Sequence, residues 1–253
     1  MISKQDLAKY IPLTGFKLGQ MEIDYLQHMF LFFLSKHTAI EFIFKGGTAL
    51  QKAYGLPRFS IDLDFTQQGK DECTELMKWI AQQMSEFGYP TSFKEIKALG
   101  KTFVFRIAGP LKGDSDLSLA SLRIKISQRE NVLLKPKLIE IKPLYHDLQP
   151  YTFIVMQEEE ILAEKIRAIM SRNKSRDIFD LHFLLNRGVE MDTLLVEKKL
   201  SYYEEKFDLE KIYKKIKLME PLWEKELKNY LAEVPPFEKV YKEINEKLAI
   251  VEK

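Results

Sequence analysis

The chain has 253 residues, 45% of them apolar and 30% charged. That is the profile of a folded protein with a sizeable core, and it excludes a disordered chain. Its net charge of +2 decides nothing about partners, and its single cysteine, Cys73, excludes an internal disulfide and a cysteine-built metal cluster and fits a reducing compartment.

The N-terminal stretch MISKQDLAKYIPLTGF carries charges throughout and lacks the apolar run of a signal peptide. MFLFFLSKHTAIEFIF is the most apolar segment, but Ser35, Lys36, His37 and Glu41 interrupt it. A membrane span needs roughly 20 mostly apolar residues, so the expectation is no membrane association and a cytoplasmic protein. Met21 to Ser35 reads as a largely apolar helix and Ile40 to Phe44 as a short buried strand. Thr48 to Tyr54 reads as a two-turn helix closed by Gly55, with Pro57 forbidding its continuation. Phe59 to Thr66 is predicted as a strand, and Glu72 to Phe87 as a helix ended by Gly88 and Pro90.

Strand-like alternation returns at Lys101 to Ile107, Leu119 to Ser127 and Lys137 to Ile141. The same region is locally basic. From Lys94 to Lys142 there are eleven Lys or Arg against five acids, an excess of six that can attract phosphates. After about Gln157 the apolar spacing becomes helical, with breaks at Asn186 to Gly188, Pro221 and Pro235-Pro236. The expected class is α+β: a mixed sheet with helices over residues 1–156, followed by a helical domain over residues 157–253 packed on it.

The chemistry concentrates in FKGGTALQKAYGLPRFSIDLDF, Phe44 to Phe65. In FSIDLDFT, strand alternation puts Phe59, Ile61, Leu63 and Phe65 on one face and Ser60, Asp62, Asp64 and Thr66 on the other. Two aspartates one residue apart on a strand have Cα atoms about 6.6 Å apart. Such a pair can converge on ions about 3.5–4 Å apart, the requirement of two-metal phosphoryl chemistry. Oxygen ligands of this type suit Mg²⁺ or Mn²⁺. An isolated D-x-D is more often a solvent-facing strand, but here Gly46-Gly47 precedes it at the start of a helix. Amides at a helix start bind anions, and glycine removes the Cβ that would block approach. Thr48 is a nucleotide-site candidate or a plain N-cap. Lys45, Arg58 and Ser60 add positive charge and a hydroxyl to the same expected pocket.

KGGTAL followed by GLPRFSIDLDF resembles the core motif of the nucleotidyltransferase superfamily. More narrowly it is similar to the AbiEii-type nucleotidyltransferase toxins, matching GGTAL and R-x-S-x-D-L-D at Gly46, Gly47, Thr48, Arg58, Ser60, Asp62 and Asp64. EEEILAEKIRAIMSRNKSRDIFDLHFLL, Glu158 to Leu185, resembles the family's A-x-K-x-x-A and R-D-x-x-D-L segments. The resemblance implies that Asp62 and Asp64 bind metal and that Lys165 contacts nucleotide phosphates. It implies a catalytic aspartate at Asp180, with Asp177 the alternative. Arg172, seven residues after Lys165 and nearly on the same helix face, is a further phosphate candidate. An ordinary i,i+4 ion pair between Arg176 and Asp180 is the competing structural reading.

What the resemblance implies for the whole protein is NMP transfer from an NTP to an acceptor. The acceptor it favours is the 3′ end of tRNA, and it implies a separately encoded antitoxin and a role in phage defence. One departure stands out. In SLRIKISQRE, Ser121 to Glu130, Lys125 occupies the place where many nucleotidyltransferases carry a third carboxylate. Glu130, Glu140 or Asp180 are candidate substitutes, and an inactive module that binds nucleotide or a protein partner is the alternative function. The four histidines are scattered without metal-ligand spacing, and His182 reads as a helix-packing residue.

Overall fold

The computed structural model describes residues 1–37, 42–68, 73–98 and 100–249. The chain divides into two compact units, Met1–Asn131 with Pro136–Val155, and Val132–Lys135 with Met156–Lys253.

In the first unit, short helices α1 (Lys4–Lys9) and α2 (Ile11–Thr14) lead into the long α3 (Leu18–His37). Then follow β1 (Phe42–Lys45), α4 (Gly46–Tyr54), β2 (Leu63–Gln67) and α5 (Cys73–Glu86). Five further strands complete it: β3 (Thr91–Ala98), β4 (Gly100–Ile107), β5 (Ala120–Ser127), β6 (Lys137–Ile141) and β7 (Tyr151–Val155). Among the described residues the seven strands form one mixed sheet in the order β3-β4-β5-β2-β1-β7-β6. β2 lies centrally, antiparallel to β1 and parallel to β5. Helix α3 packs on β5 and β7, and α5 on β3. The rings of Phe30 and Phe105 meet edge to face, and those of Phe44 and Phe65 stack, so aromatic side chains fill the core.

The second unit is helical: α6 (Glu158–Ser171), α7 (Ser175–Asn186), α8 (Thr193–Ser201), α9 (Leu209–Lys217), α10 (Trp223–Leu227) and α11 (Phe237–Leu248). The three expected breaks are present, and two further breaks follow Ser171, which leaves Arg172 beyond the end of α6, and Ser201. Arg187 caps α7, a 3₁₀ turn carries Pro221, and Pro236 precedes α11. His182 Nε2 lies 2.6 Å from Glu243 Oε2 and ties α7 to α11. Fully buried Lys199 on α8 bridges Glu160 at 2.7 Å and Glu164 at 3.3 Å on α6. Glu160 also accepts the amides of Leu133 and Leu134, anchoring that short segment within the helical unit.

Several elements differ from expectation. Residues 40 and 41 of the first predicted strand and residue 72 of the predicted helix lie outside the described residues. The predicted strand from Phe59 begins only at Leu63, because side chains take up the backbone groups a neighbouring strand would need. Ser60 N–H donates to Gln51, the carbonyls of Ser60 and Ile61 accept from Gln27, and Thr48 donates to the carbonyl of Asp62. Strand alternation therefore fails there: Ser60 is buried while Ile61 is 40% exposed. Thr48 does not cap α4 either. The N-cap position belongs to Lys45, and Thr48 turns its hydroxyl inward from the first helical turn.

Candidate active site

The first unit brings the sequence motifs together around the β1–α4 junction and β2. Gly46 has φ +74°, a conformation that disfavours any residue with a Cβ. A Cβ there would stand 3.0 Å from Oδ2 of Asp64, so the start of α4 is seated directly against that carboxylate. At Gly47 a Cβ would come within 2.3 Å of an Arg58 guanidinium nitrogen and 3.1 Å of Ser60 Oγ. The first amides of α4 have no carbonyl within the helix to bond, and this is the arrangement that receives anions.

Arg58, Ser60 and Thr48 lie inside the fold. Arg58 is only 2% exposed and donates to the Phe59 carbonyl at 2.9 Å. Thr48 Oγ1 is 2.7 Å from Ser60 Oγ. These residues form a polar floor beneath the glycine turn. Gln27 of α3 and Gln51 of α4 complete it, with Gln51 also donating to buried Asp24 at 2.7 Å. Neither glutamine belongs to the sequence motif. The available signal was the position of Gln27 on the largely apolar α3, where a fully buried amide needs partners.

Asp62 sits at the end of this loop and Asp64 on β2. Both are half-buried, and lysines face them. In strand register Asp64 lies between Lys45 of β1 and Lys125 of β5. Lys125 Nζ reaches Asp62 Oδ2 at 2.5 Å. Two carboxylates in an oxygen-only setting fit a hard divalent cation that draws its remaining ligands from substrate phosphates and water, as magnesium commonly does. Among the described residues no group of three or more His, Cys, Asp or Glu side chains gathers to hold a metal without such help.

The second unit builds another charged cluster from the expected residues. Lys165 of α6 bonds Asp177 at 3.1 Å and Asp180 at 2.7 Å, both on α7 and both fully buried. Arg172 grips Asp177 with two nitrogens, at 2.8 and 3.0 Å. Burial alone would raise the Asp177 pKa, but the Lys165 and Arg172 charges overcome it and hold the group well below the ordinary carboxylate range. The guanidinium of Arg176 is directed to Tyr230, 3.4 Å from its hydroxyl, and Asp180 has Lys165 as its close cation. Of the other candidate acids, Glu130 is buried and Glu140 pairs with Lys142 at 3.0 Å.

The family described as nucleotidyl transferase AbiEii toxin of type IV toxin–antitoxin systems matches residues 33–249. No curated protein gives a significant match. Among solved structures, the chain is similar to MenT4, a nucleotidyltransferase toxin of Mycobacterium tuberculosis. Its TM-score is 0.75 at 17% identity, covering 100% of this chain and 90% of that one. JHP933 of Helicobacter pylori matches with a TM-score of 0.59 at 21% identity, over 93% of each chain. At such identities the structural likeness establishes a shared fold.

Proposed function

The chain belongs to the AbiEii family of nucleotidyltransferase toxins, and from that premise we propose that it transfers an NMP group from an NTP to an RNA acceptor, the 3′ end of tRNA being the favoured one. The observation that carries this reading is the seating of Gly46 against Asp64, which joins an anion-receiving helix start to a metal-suited acid pair. The acceptor oxygen attacks the α-phosphorus, a new P–O bond forms, and the bond to pyrophosphate breaks as the acceptor loses its proton.

Asp62 and Asp64 are the residues that would hold Mg²⁺ or Mn²⁺. Such an ion, when bound, polarises the phosphoryl group and offsets charge on the leaving pyrophosphate. The amides of Gly46 and Gly47 receive phosphate oxygens. Thr48, Arg58 and Ser60 position this machinery from beneath, since their polar atoms serve the loop that ends at Asp62. Lys165 keeps the phosphate-contacting role that the family resemblance implies, and Arg172 stays a further phosphate candidate. We assign Asp180 to holding the Lys165 ammonium, because it is fully buried and 2.7 Å from it.

A binding-only reading has one observation in its favour, the lysine at the third-carboxylate position paired with Asp62. Incubation with α-labelled NTPs, Mg²⁺ and total RNA separates the two. Label on RNA, strongest on tRNA, supports transfer. Nucleotide binding with no label on RNA or protein for any of the four NTPs supports the binding module. An antitoxin partner follows from the family, and co-expression with a candidate antitoxin tests it through relief of growth arrest. Among the described residues no helix is long and apolar enough to cross a membrane.

A further inference from the structure

Lys125 alters the charge arithmetic of the acid pair. It lies beside Asp64 in the parallel β2–β5 register, and its ammonium meets Asp62 Oδ2 at 2.5 Å. On the other flank, buried Lys45 stands opposite Asp64 across β1 and β2. Two carboxylates therefore face two ammonium groups, and their formal charges cancel. A site that gathers divalent ions unaided needs excess negative charge, and Mg²⁺ gives up its water reluctantly. Here one oxygen of Asp62 is already engaged by a cation. A nucleoside triphosphate would supply the missing negative charge.

We propose that Lys125 is a built-in cation that occupies Asp62 in the free protein and releases it only when a nucleoside triphosphate arrives, so that the divalent ion enters together with the nucleotide. The exposure of the two groups suits an exchange of partners. The Lys125 side chain is 41% exposed and that of Asp62 17%, so the ammonium can swing to a phosphate without crossing the core. A lysine on a flexible stem, bonding as a point charge, is adapted to such a swing. Lys125 is thus a positioning residue that sets the order of binding. A permanently bound ion at Asp62 and Asp64 is what it prevents. The inference rests on the nucleotidyltransferase reading for its purpose, but its first consequence concerns the protein without any transfer.

The test is Mn²⁺ binding followed by electron paramagnetic resonance, for wild type, Lys125→Met, Lys125→Glu and Lys125→Arg. Each is titrated with and without an NTP analogue whose α,β bridge cannot be cleaved. Without nucleotide, Lys125→Met is expected to bind Mn²⁺ at least about tenfold more tightly than wild type, since a positive charge within a few ångströms of the ion is removed. Lys125→Glu should bind more tightly still, and Lys125→Arg should resemble wild type. The analogue should raise wild-type affinity more than that of Lys125→Met, narrowing the gap. Equal Mn²⁺ affinity of wild type and Lys125→Met in the absence of nucleotide, including equally undetectable binding, overturns the proposal. Failure here with intact RNA labelling would leave the transferase reading standing. Failure of labelling with the expected Mn²⁺ series would remove that reading and leave the charge argument.

Discussion

Replacing Lys165 by methionine removes one charge from the buried cluster of the helical unit while nearly keeping its volume. Asp177 retains Arg172 at 2.8 and 3.0 Å, but Asp180, with no exposed side-chain surface, loses the ammonium 2.7 Å away. Removing one partner of a buried ion pair costs about 3–5 kcal/mol, mostly as the penalty on the charge left behind. For a chain of this size each kcal/mol lowers Tm by about 2–4 °C, so the expected fall at pH 7 is on the order of 6–20 °C. Thermal and urea unfolding measure it directly. The cluster also changes from neutral to net negative, so NTP affinity should fall. A Tm within about 1 °C of wild type at pH 7 would show that the Lys165–Asp180 pair does not support the fold.

Gly46→Ala should cost roughly 1–2 kcal/mol from its left-handed backbone alone, and should abolish transfer by pressing on Asp64 Oδ2 from 3.0 Å; kinetics alongside a melting curve separates the two effects. Thr48→Val removes a buried hydroxyl from Ser60 and the Asp62 carbonyl, so about 1–3 kcal/mol should be lost, with kcat lowered more than NTP affinity as Asp62 loosens. Asp177 contributes stability that is fully present above its ordinary pKa of 3.8 and is lost as pH falls below it, because its folded pKa is depressed. Asp177→Asn should accordingly flatten the acid limb of a stability-versus-pH profile below about pH 4, and an unchanged limb would count against the Lys165–Arg172 clamp.

The helices and the exposed-to-buried strands β4 and β5 were legible because their apolar periods survive in the sequence: Phe103, Phe105 and Ile107 all point inward, as do Leu122, Ile124 and Ile126. Strand β7 was readable in principle, since Tyr151, Phe153 and Val155 alternate with Thr152 and Ile154. Strand β3 was not. Its TSFKEIKA carries charge at Lys94 and at Glu95, hence on both faces, as an edge strand can. At the site, the glycine pair and the two aspartates announced themselves by type and spacing. The loop Phe59–Asp62 misled because its alternation mimics a strand, while its hydrogen bonds go to Gln27, Gln51 and Thr48, two of them distant in sequence from the carbonyls or amide they hold. Nor could spacing reveal that both aspartates face lysines.

The most direct test of the central claim is where the label of an NTP goes. Wild type and Asp64→Asn are incubated with total RNA and Mg²⁺, once with NTPs labelled at the α-phosphate and once with NTPs labelled at the γ-phosphate. RNA should carry the α label only, with the γ label recovered in pyrophosphate and neither product from Asp64→Asn. Transfer of the γ label to any acceptor, or α-labelling that persists undiminished in Asp64→Asn, would contradict it.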